Sequence, residues 1–415
     1  MGFLSVFKNT VLLSVLILSS CGNQQATVRP DSETALMERP VLDHVPSDSL
    51  IIASNRTEMY LPLLRGKKVA VVANQTSVIF TPNGTVHLVD SLVSLQIDIK
   101  KVFAPEHGFR GEADAGETVK DGVDNKTNLS LISLYGKNKK PTDKQLEDVE
   151  VVLFDIQDVG VRFYTYIATL QLVMEACAKN NIPIVVLDRP NPNAHYIDGP
   201  TMETEHSSFL GMAPIPLVYG MTIGEYAQML NGEGWLDGGR KAALTVIPLE
   251  NFTHRTPYKI PIRPSPNLPN DKSINLYPSL GLFEGTYINA GRGTEFQFQR
   301  YGASFLDSTV YDFSYVPQPN FGSNDPKEKG KRCYGKDLSN VAELDQVSLA
   351  WLLDAYTNCT DKGKFFNQSS FTKHSGTEKL QKLIEAGVSE AAIKETWQPD
   401  LEKFKKIRKP YLIYP

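Results

Sequence analysis

The 415-residue sequence lacks the short motifs that hold nucleotides and dinucleotides. A Rossmann cofactor site needs G-x-G-x-x-G directly after the first strand, but the turn after the first predicted strand reads Asn74-Gln75-Thr76-Ser77 and contains no glycine. A P-loop is also absent. These absences argue against dehydrogenase chemistry and against a P-loop nucleotide site.

Serine-nucleophile and zinc-hydrolase motifs are missing as well. The sequence has no G-x-S-x-G elbow and no H-E-x-x-H, and its seven histidines do not cluster. Outside the N-terminal region the cysteines are Cys177, Cys333 and Cys359, and none lies in a C-x-x-C pair. We therefore predict no metal and no cofactor. Cys177 is expected to be a buried thiol, and Cys333 and Cys359 could pair in an oxidising compartment.

The sequence shows no excess of basic residues. Lysine and arginine total 43 against 47 aspartate and glutamate residues, for a formal net charge of −4. Nucleic acid is therefore not a predicted partner. The hydrophobic fraction of 41% and the charged fraction of 22% are those of an ordinary soluble globular protein.

The N-terminus reads as an export signal. Lys8 precedes a short apolar run at 11–18, which ends in Leu18-Ser19-Ser20-Cys21-Gly22 and looks like a lipobox. We expect residues 1–20 to be a lipoprotein signal peptide, Cys21 to carry the lipid and residues 21–48 to form a tether. This predicts an exported protein anchored in a membrane. The alternative is an ordinary secretory signal with an incidental cysteine.

Strands and helices alternate over the next part of the chain. Apolar runs at 69–73, 99–104, 149–154 and 182–187 predict buried strands, and Ile167, Leu170, Met174 and Cys177 recur at helical spacing. This alternation indicates a parallel sheet covered on both faces. The predicted fold class is α/β, with a Rossmann-like N-terminal domain over residues 49–262. A proline-rich passage, 257–269, marks the boundary region.

Polar residues follow these four strands at their carboxyl ends. They are Asn74, Glu106-His107, Asp155 with Asp158, and Asp188-Arg189. Because ligands of open α/β sheets bind beyond the carboxyl ends of the strands, we expect these side chains to converge on one cleft. Asp155 and Asp188 could instead cap helices or form turns. We expect no helix-capping role for Glu106, because Pro105 and Gly108 predict a tight turn around it and not the start of a helix.

The predicted cleft is rich in carboxylates, tyrosines and arginines. The basic and aromatic candidates are Arg110, Arg162, Tyr164 and Tyr166. Carboxylates can act on a glycosidic bond as acid, base or nucleophile, and arginine pairs with a carboxylate of the substrate. This combination fits a charged sugar.

Several longer motifs occur together in one order, and they carry a resemblance to a known family. They are Ala104-Pro105-Glu106-His107-Gly108-Phe109-Arg110-Gly111, the stretch Asp155 to Tyr166, Asp188-Arg189-Pro190-Asn191-Pro192, Tyr219 to Glu225, Pro264 to Pro269, Phe283 to Thr286, Asn289, Gly291 to Thr294, and the terminal Tyr411-Leu412-Ile413-Tyr414. With these motifs the chain resembles the exo-β-N-acetylmuramidase (NamZ-like) family from about Gly66 to the C-terminus.

The resemblance implies release of N-acetylmuramic acid from the non-reducing end of β-1,4-linked peptidoglycan fragments. It also implies a smaller C-terminal domain, predicted here as α+β over residues 263–415, that completes the cleft. Peptidoglycan-derived oligosaccharides or muropeptides would be the partners. The alternatives are a muropeptide-binding lipoprotein without catalysis, a β-N-acetylglucosaminidase, or an amidase.

By motif matching, Glu106 falls where the family's catalytic glutamate lies, and we predict it to be the general acid/base, with His107 orienting or tuning it. The candidates for the supporting carboxylate are Asp155, Asp188 and Glu284. Thr222-x-x-Glu225 reads as a capping box and needs no catalytic role. The predicted substrate contacts are Asn74, Arg110, Arg162, Tyr164, Tyr166, Arg189, Asn267 and Arg292. Of these, Arg162 or Arg292 is expected to bind the lactyl carboxylate of muramic acid.

Overall fold

A seven-stranded sheet forms the centre of the N-terminal half in the computed structural model, which describes residues 49–111 and 121–415. Six neighbouring strands run parallel, and only the edge strand β5 is antiparallel to its neighbour. Across the sheet the strands are β5 (Gly122–Val123), β6 (Ser130–Ser133), β4 (Ile99–Ala104), β1 (Val69–Ala73), β7 (Val151–Asp155), β8 (Ile184–Leu187) and β9 (Leu244–Ile247). The predicted signal peptide, Cys21 and the tether lie outside the described residues.

Two of the predicted strands have the bounds expected from the sequence, at 69–73 and 99–104. The other two begin two residues later than predicted, at Val151 and Ile184. In both cases the preceding residues end a helix. The amide of Val149 donates to the carbonyl of Leu146, and the amide of Ile182 donates to that of Cys177.

Helices cover both faces of the sheet, as the apolar strands predicted. Val69 and Val71 lie in a core shared with α1 and α2, whereas Ala70 and Val72 lie in a second core shared with α4 and α5. The helices are α1 (Thr57–Leu64), α2 (Leu88–Ser94), α3 (Asp143–Leu146), α4 (Tyr166–Asn180), α5 (Ile223–Gly232), α6 (Asp271–Leu280), α7 (Ala350–Thr357), α8 (Gln368–Ser375), α9 (Lys379–Glu385) and α10 (Glu390–Arg408).

The C-terminal half is smaller and combines helices with an antiparallel sheet. That sheet has the order β10 (Arg300–Ala303), β12 (Cys333–Asp337) and β11 (Phe313–Tyr315), and a separate hairpin pairs β2 (Val78–Thr81) with β3 (Gly84–His87). The core shared with α4 continues into this half through residues such as Phe283, Tyr301 and Leu352. The predicted fold class, a Rossmann-like α/β half with a smaller α+β half, is confirmed.

The three cysteines of the described residues are buried free thiols. Cys177 lies on α4, which confirms its predicted burial. Cys333 and Cys359 do not pair. Their sulfurs lie against different backbone carbonyls, those of Lys331 and Asp361. Among the described residues, no helix has both the length and the apolar composition that a membrane span requires.

Candidate active site

A cavity of about 610 Å³ lies beyond the carboxyl end of β4 and is lined by both halves of the chain. Its volume is within the range of about 300–1,000 Å³ that is usual for small-ligand sites. The N-terminal half contributes Glu106, His107, Tyr135, Lys139, Phe163, Tyr164, Thr165, Ser208, Phe209 and Leu210. The C-terminal half contributes Ser265, Asn267, Leu268, Tyr277, Glu284, Arg292, Phe298, Lys327, Ser369, Ser370, Lys373 and His374.

Glu106 enters this cavity from a tight turn, as predicted. The amide of Gly108 donates to the carbonyl of Pro105 at 3.0 Å and closes the turn. His107 has φ +69°, a left-handed conformation that is uncommon for a side chain larger than glycine. Such strain persists only where the surroundings impose it, and here it directs the half-buried Glu106 out of the sheet.

Two hydroxyl groups hold the Glu106 carboxylate. The hydroxyl of Thr165, at the start of α4, donates to Glu106 Oε2 at 2.8 Å, and the phenol of Tyr135 is also hydrogen-bonded to Glu106. Burial and the nearby Glu106 charge raise the pKa of Tyr135, so that its hydroxyl stays neutral. The carboxylate is therefore oriented by neutral donors and not by a cation in these contacts.

A second carboxylate, Glu284, lines the same cavity beside the side chains of Arg292 and Lys327. Arg292 Nη1 donates to Glu284 Oε1 at 2.9 Å, and both side chains remain about one quarter exposed. The Lys327 residue is exposed, but its ammonium is enclosed by the carbonyls of Phe283, Glu284 and Thr286. Burial lowers the pKa of Lys327 to about 8, although the charge of Glu284 opposes the shift.

His374 is a further nitrogen group of the cavity wall. Its Nδ1 lies 2.8 Å from the carbonyl of Ser370, which can only accept, so Nδ1 carries the proton. Burial lowers the pKa of His374, which favours the neutral imidazole with Nε2 as an acceptor.

The rest of the lining suits a sugar ring. Phe209 and Tyr135 present aromatic surface, and Lys139 Nζ lies 4.3 Å from the Phe209 ring centroid. Asn267 is buried and donates through Nδ2 to the carbonyl of Gly322 at 2.6 Å, while its Oδ1 has no hydrogen-bond partner among the described residues.

Comparisons with known proteins identify the family of the chain. The family profile described as "Exo-beta-N-acetylmuramidase NamZ, N-terminal" matches residues 69–272, and the corresponding C-terminal profile matches residues 275–414. The chain belongs to the NamZ exo-β-N-acetylmuramidase family.

Individual relatives cover nearly the whole chain. It is 36% identical over 407 residues to the peptidoglycan β-N-acetylmuramidase NamZ of Bacillus subtilis, covering 94% of this chain and 95% of the relative. Two solved DUF1343-family proteins of Bacteroides fragilis are similar in structure. One has 41% identity, a TM-score of 0.80 and coverage of 88% of this chain and 99% of its own. The other has 26% identity, a TM-score of 0.74 and coverage of 89% and 100%.

Not every NamZ-family motif residue of this chain reaches the cavity. Of the predicted site residues, Glu106, His107, Tyr164, Asn267, Glu284 and Arg292 line it, whereas Asn74, Arg110, Asp155, Arg162, Tyr166, Asp188 and Arg189 do not.

Asp155 and Arg189 form a buried ion pair within the fold. Arg189 Nε and Nη2 donate to the two carboxylate oxygens of Asp155 at 2.6 and 2.8 Å, and Nη2 also donates to the carbonyl of Val78 at 3.1 Å. Asp155 has no exposed surface and Arg189 is 3% exposed. Each neutralises the charge of the other, and neither side chain lines the cavity.

Asp188 belongs to a buried polar cluster that pins the C-terminal segment. It accepts hydrogen bonds from the hydroxyls of Thr222 and Tyr414 at 2.7 and 2.6 Å and from the amide of Gly224 at 2.8 Å. Burial raises the pKa of Asp188 to about 7, although its hydrogen bonds oppose the rise. The predicted capping box of Thr222 and Glu225 is confirmed beside it. The role of Asp188 is therefore structural, and it is not a cleft carboxylate.

Arg162 is enclosed beneath the cavity. Its guanidinium donates to four backbone carbonyls: Pro200 at 2.6 Å, Ile215 at 3.0 Å, His374 at 2.9 Å and Ser375 at 2.7 Å. Only 1% of the residue is exposed, and a Cβ added at Gly376 would come within 2.7 Å of Nη2. Both terminal nitrogens of Arg162 bind backbone carbonyls from both halves of the chain, so Arg162 holds the halves together, and it does not line the cavity.

Three other predicted contacts are also internal. Asn74 accepts from Thr76 through Oδ1 at 2.9 Å, and Arg110 pairs with Asp90 and Asp124 at 3.0 and 2.8 Å. Tyr166 is 1% exposed, and its hydroxyl donates to the carbonyl of Pro264 at 3.3 Å. Strand-end position alone did not reveal that these groups have partners inside the fold.

Several cavity residues were missed from the sequence. They are Tyr135, Lys139, Phe209, Lys327, Lys373 and His374. Most of them lie on loops or on α8 and outside the recognised motifs, so no local pattern marks them. Within the described residues, one possible metal-ligand group, Glu203 with Glu205 and His206, brings ligand atoms within 4.8 Å of one another, but it is not part of the cavity and Glu203 pairs with Lys379.

Proposed function

We propose that this chain is an exo-acting glycoside hydrolase that releases N-acetylmuramic acid from the non-reducing end of β-1,4-linked peptidoglycan fragments. The observation that carries the proposal is one cavity that presents the carboxylates Glu106 and Glu284 among aromatic rings and cations. Paired carboxylates are the usual machinery of glycosidic cleavage. The name of the Bacillus subtilis relative supports the choice of substrate.

Glu106 is the general acid/base in this proposal. Proton transfer to the departing glycosidic oxygen requires a carboxyl group that is fixed in position at the cavity wall. The strained turn and the hydrogen bond from Thr165 provide that restraint. His107, which lines the cavity next to Glu106 in the chain, helps to position it.

Glu284 is the supporting carboxylate. It is the one remaining candidate of the three, since Asp155 and Asp188 are enclosed in the core. The pKa of Tyr135 is raised by burial first and then by both Glu106 and Glu284, which indicates that the two carboxylates act on the same region of the cavity.

The acidic sugar is recognised by the cations of the cavity. N-acetylmuramic acid differs from N-acetylglucosamine by a lactyl carboxylate, and Arg292 is the arginine that can reach it. Lys139, Lys327 and Lys373 add positive charge to the lining.

The enzyme is proposed to be exported and anchored to a membrane by a lipid on Cys21. The support is the sequence Leu18-Ser19-Ser20-Cys21-Gly22 after a short apolar run. Two or more acyl chains anchor stably, whereas a single chain is marginal.

The assay that tests the function compares two chromogenic substrates with the purified chain. We expect turnover of the β-N-acetylmuraminide and little turnover of the β-N-acetylglucosaminide. Preference for the glucosaminide would indicate a β-N-acetylglucosaminidase. Saturable binding of muropeptides without turnover of either substrate or of natural disaccharides would indicate a binding protein.

A further inference from the structure

A second cavity, distinct from the candidate active site, forms a cationic groove on the protein surface. Its volume is about 820 Å³, and it shares no lining residue with the active-site cavity. Its basic lining residues, called here the cationic groove, are His195, His254, Arg255, Lys405, Arg408 and Lys409.

The groove is positively charged although the whole chain carries a net charge of −4. None of the lining residues has an acidic side chain. Two acidic side chains lie close by: buried Glu225, which is 2.9 Å from His254, and exposed Glu402, which pairs with Lys405 at 2.7 Å. Among the described residues, Arg255 and Lys409 have no ion-pair partner, and both are exposed.

The first described residues of the chain, from Ser49, are bound to the folded body beside this groove. Ile51 and Glu250 exchange backbone hydrogen bonds of 3.0 and 2.9 Å, and Asn251 Nδ2 donates to the carbonyl of Ser49 at 3.1 Å. Residues 253–255 of the groove follow directly, and Ala194 belongs both to the groove and to the small core around Ile52. Any segment that precedes Ser49 is therefore attached at this face.

We propose that the cationic groove docks on the anionic lipid headgroups of the membrane to which the chain is tethered. This inference rests on the proposed lipid anchor, because the anchor and the groove would then act at the same face. Each lysine or arginine near an anionic bilayer strengthens association severalfold, and the effect falls off within a Debye length. Because the tether is attached beside the groove, these cations lie on the face of the folded body from which the chain leads to the anchor.

The test uses the mature chain, residues 21–415, with Cys21→Ser so that no lipid contributes to binding. Sedimentation is measured with vesicles of phosphatidylcholine alone and with vesicles that also contain an equal part of phosphatidylglycerol. The groove variant combines Arg255→Glu, Lys405→Glu and Lys409→Glu. The matched control combines Lys144→Glu, Lys364→Glu and Lys382→Glu, three exposed lysines outside the groove with the same change of charge.

We expect the starting chain to partition onto anionic vesicles about tenfold more strongly than onto neutral ones, and this preference should weaken as salt is added. The groove variant should lose most of the preference, and the control should keep most of it. Equal binding to both vesicle types, or an equal loss in both variants, would overturn the proposal. So would binding of a soluble polyanion such as heparin at the groove without binding to anionic vesicles.

The measurement is independent of the proposed activity and of lipidation. Both triple variants should turn over a soluble substrate as the starting chain does, because none of the six residues lines the active-site cavity. Failure of the muramidase assay would leave the vesicle result intact. If Cys21 carries no lipid in the full chain, docking on the membrane that holds the tether is overturned, whatever the vesicle result.

Discussion

The charged side chains of the cavity differ in how much freedom their contacts leave them. Arg292 pairs with Glu284 but keeps about one quarter of its side chain exposed, so it can rearrange toward a ligand. Arg162 has both terminal nitrogens bound to four carbonyls and has almost no exposure. The two arginines therefore lead to opposite predictions.

For Arg292→Met we expect a loss of selectivity. Removing a charge-assisted pair with the lactyl carboxylate should lower kcat/KM for a muraminide by about 2 kcal/mol, roughly thirtyfold, and affect a glucosaminide much less. Steady-state kinetics on both substrates measure the ratio. Lys329→Met, an exposed change outside the cavity, is the control. An unchanged ratio in Arg292→Met would rule out Arg292 as the partner.

For Arg162→Met we expect a loss of stability. The substitution removes a donor from four buried carbonyls, of which that of Ile215 keeps the amide of Met202 at 3.0 Å, and should lower the free energy of unfolding by about 3–4 kcal/mol. Urea unfolding measures it, with Arg65→Met, an exposed arginine, as the control. Selectivity between the two sugars should persist in the folded fraction. If the Arg162→Met variant kept the stability of the unaltered chain but lost selectivity between the two sugars, Arg162 would be assigned to the substrate site.

Residues of this kind mark the limit of prediction from the sequence. Glu106 was predicted at the cavity because a turn sequence after an apolar strand is a local signal. Asp155 and Asp188 were placed there by their positions at strand ends, but the side chains that hold them, such as Arg189 and Tyr414, lie 34 or more residues away in the chain. No periodicity reports such partners.

At the scale of elements, the terminal segment after α10 is held by the start of α5. Glu225 closes the capping box of α5 and also accepts from the amide of Ile413 at 2.9 Å. The hydroxyl of Tyr414 donates to Asp188 at 2.6 Å and accepts from the amide of Leu249 at 2.8 Å. Three motifs of the family thus form one buried joint instead of a catalytic cleft.

We expect Tyr414→Phe to weaken this joint. It leaves the buried amide of Leu249 without an acceptor and removes one donor to Asp188, which should cost about 2 kcal/mol of unfolding free energy. Tyr411→Phe is the matched control, because its hydroxyl bonds Glu233 at the surface and should cost less than about 0.5 kcal/mol. Equal unfolding midpoints of the two variants in urea would contradict this account of the joint.

The strands of the parallel sheet were predicted at the right places because each has a buried apolar stretch. The bounds of β1 and β4 followed from the sequence, whereas β7 and β8 begin two residues later than predicted. The short strands β10, β11 and β12 escaped prediction because they are partly exposed and follow no strict alternation. The cavity wall that the C-terminal half provides was therefore beyond local patterns.

At the scale of the whole molecule, one core and one cavity include both halves of the chain. The core that contains α4 also contains residues of β10 and α7, and Arg162 binds carbonyls of α8. A change in the packing of the C-terminal half should therefore alter the cavity. The proposed lipid anchor adds a further level, because it would place this site near the envelope from which its substrate comes.

Anchoring predicts a change of location for Cys21→Ser. Without the thiol that accepts the diacylglycerol, the chain should move from the membrane to the soluble fraction or remain unprocessed. Fractionation followed by immunoblotting measures the distribution, with Cys177→Ser, a cysteine of α4, as the control. Unchanged membrane partition of a processed Cys21→Ser chain would count against the lipobox.

The central claim is that Glu106 delivers the proton to the leaving sugar, and Glu106→Gln tests it most directly. The amide keeps the size and hydrogen bonding of the side chain but has no acidic proton to donate. Kinetics are compared on a natural disaccharide and on a nitrophenyl muraminide, with Glu147→Gln, an exposed carboxylate outside the cavity, as the control.

We predict that Glu106→Gln folds normally, binds muramic acid and loses about a hundredfold or more in kcat on the disaccharide. The loss should be smaller on the nitrophenyl substrate, because that leaving group needs less protonation. Turnover of the disaccharide near that of the unaltered chain would remove Glu106 from the mechanism.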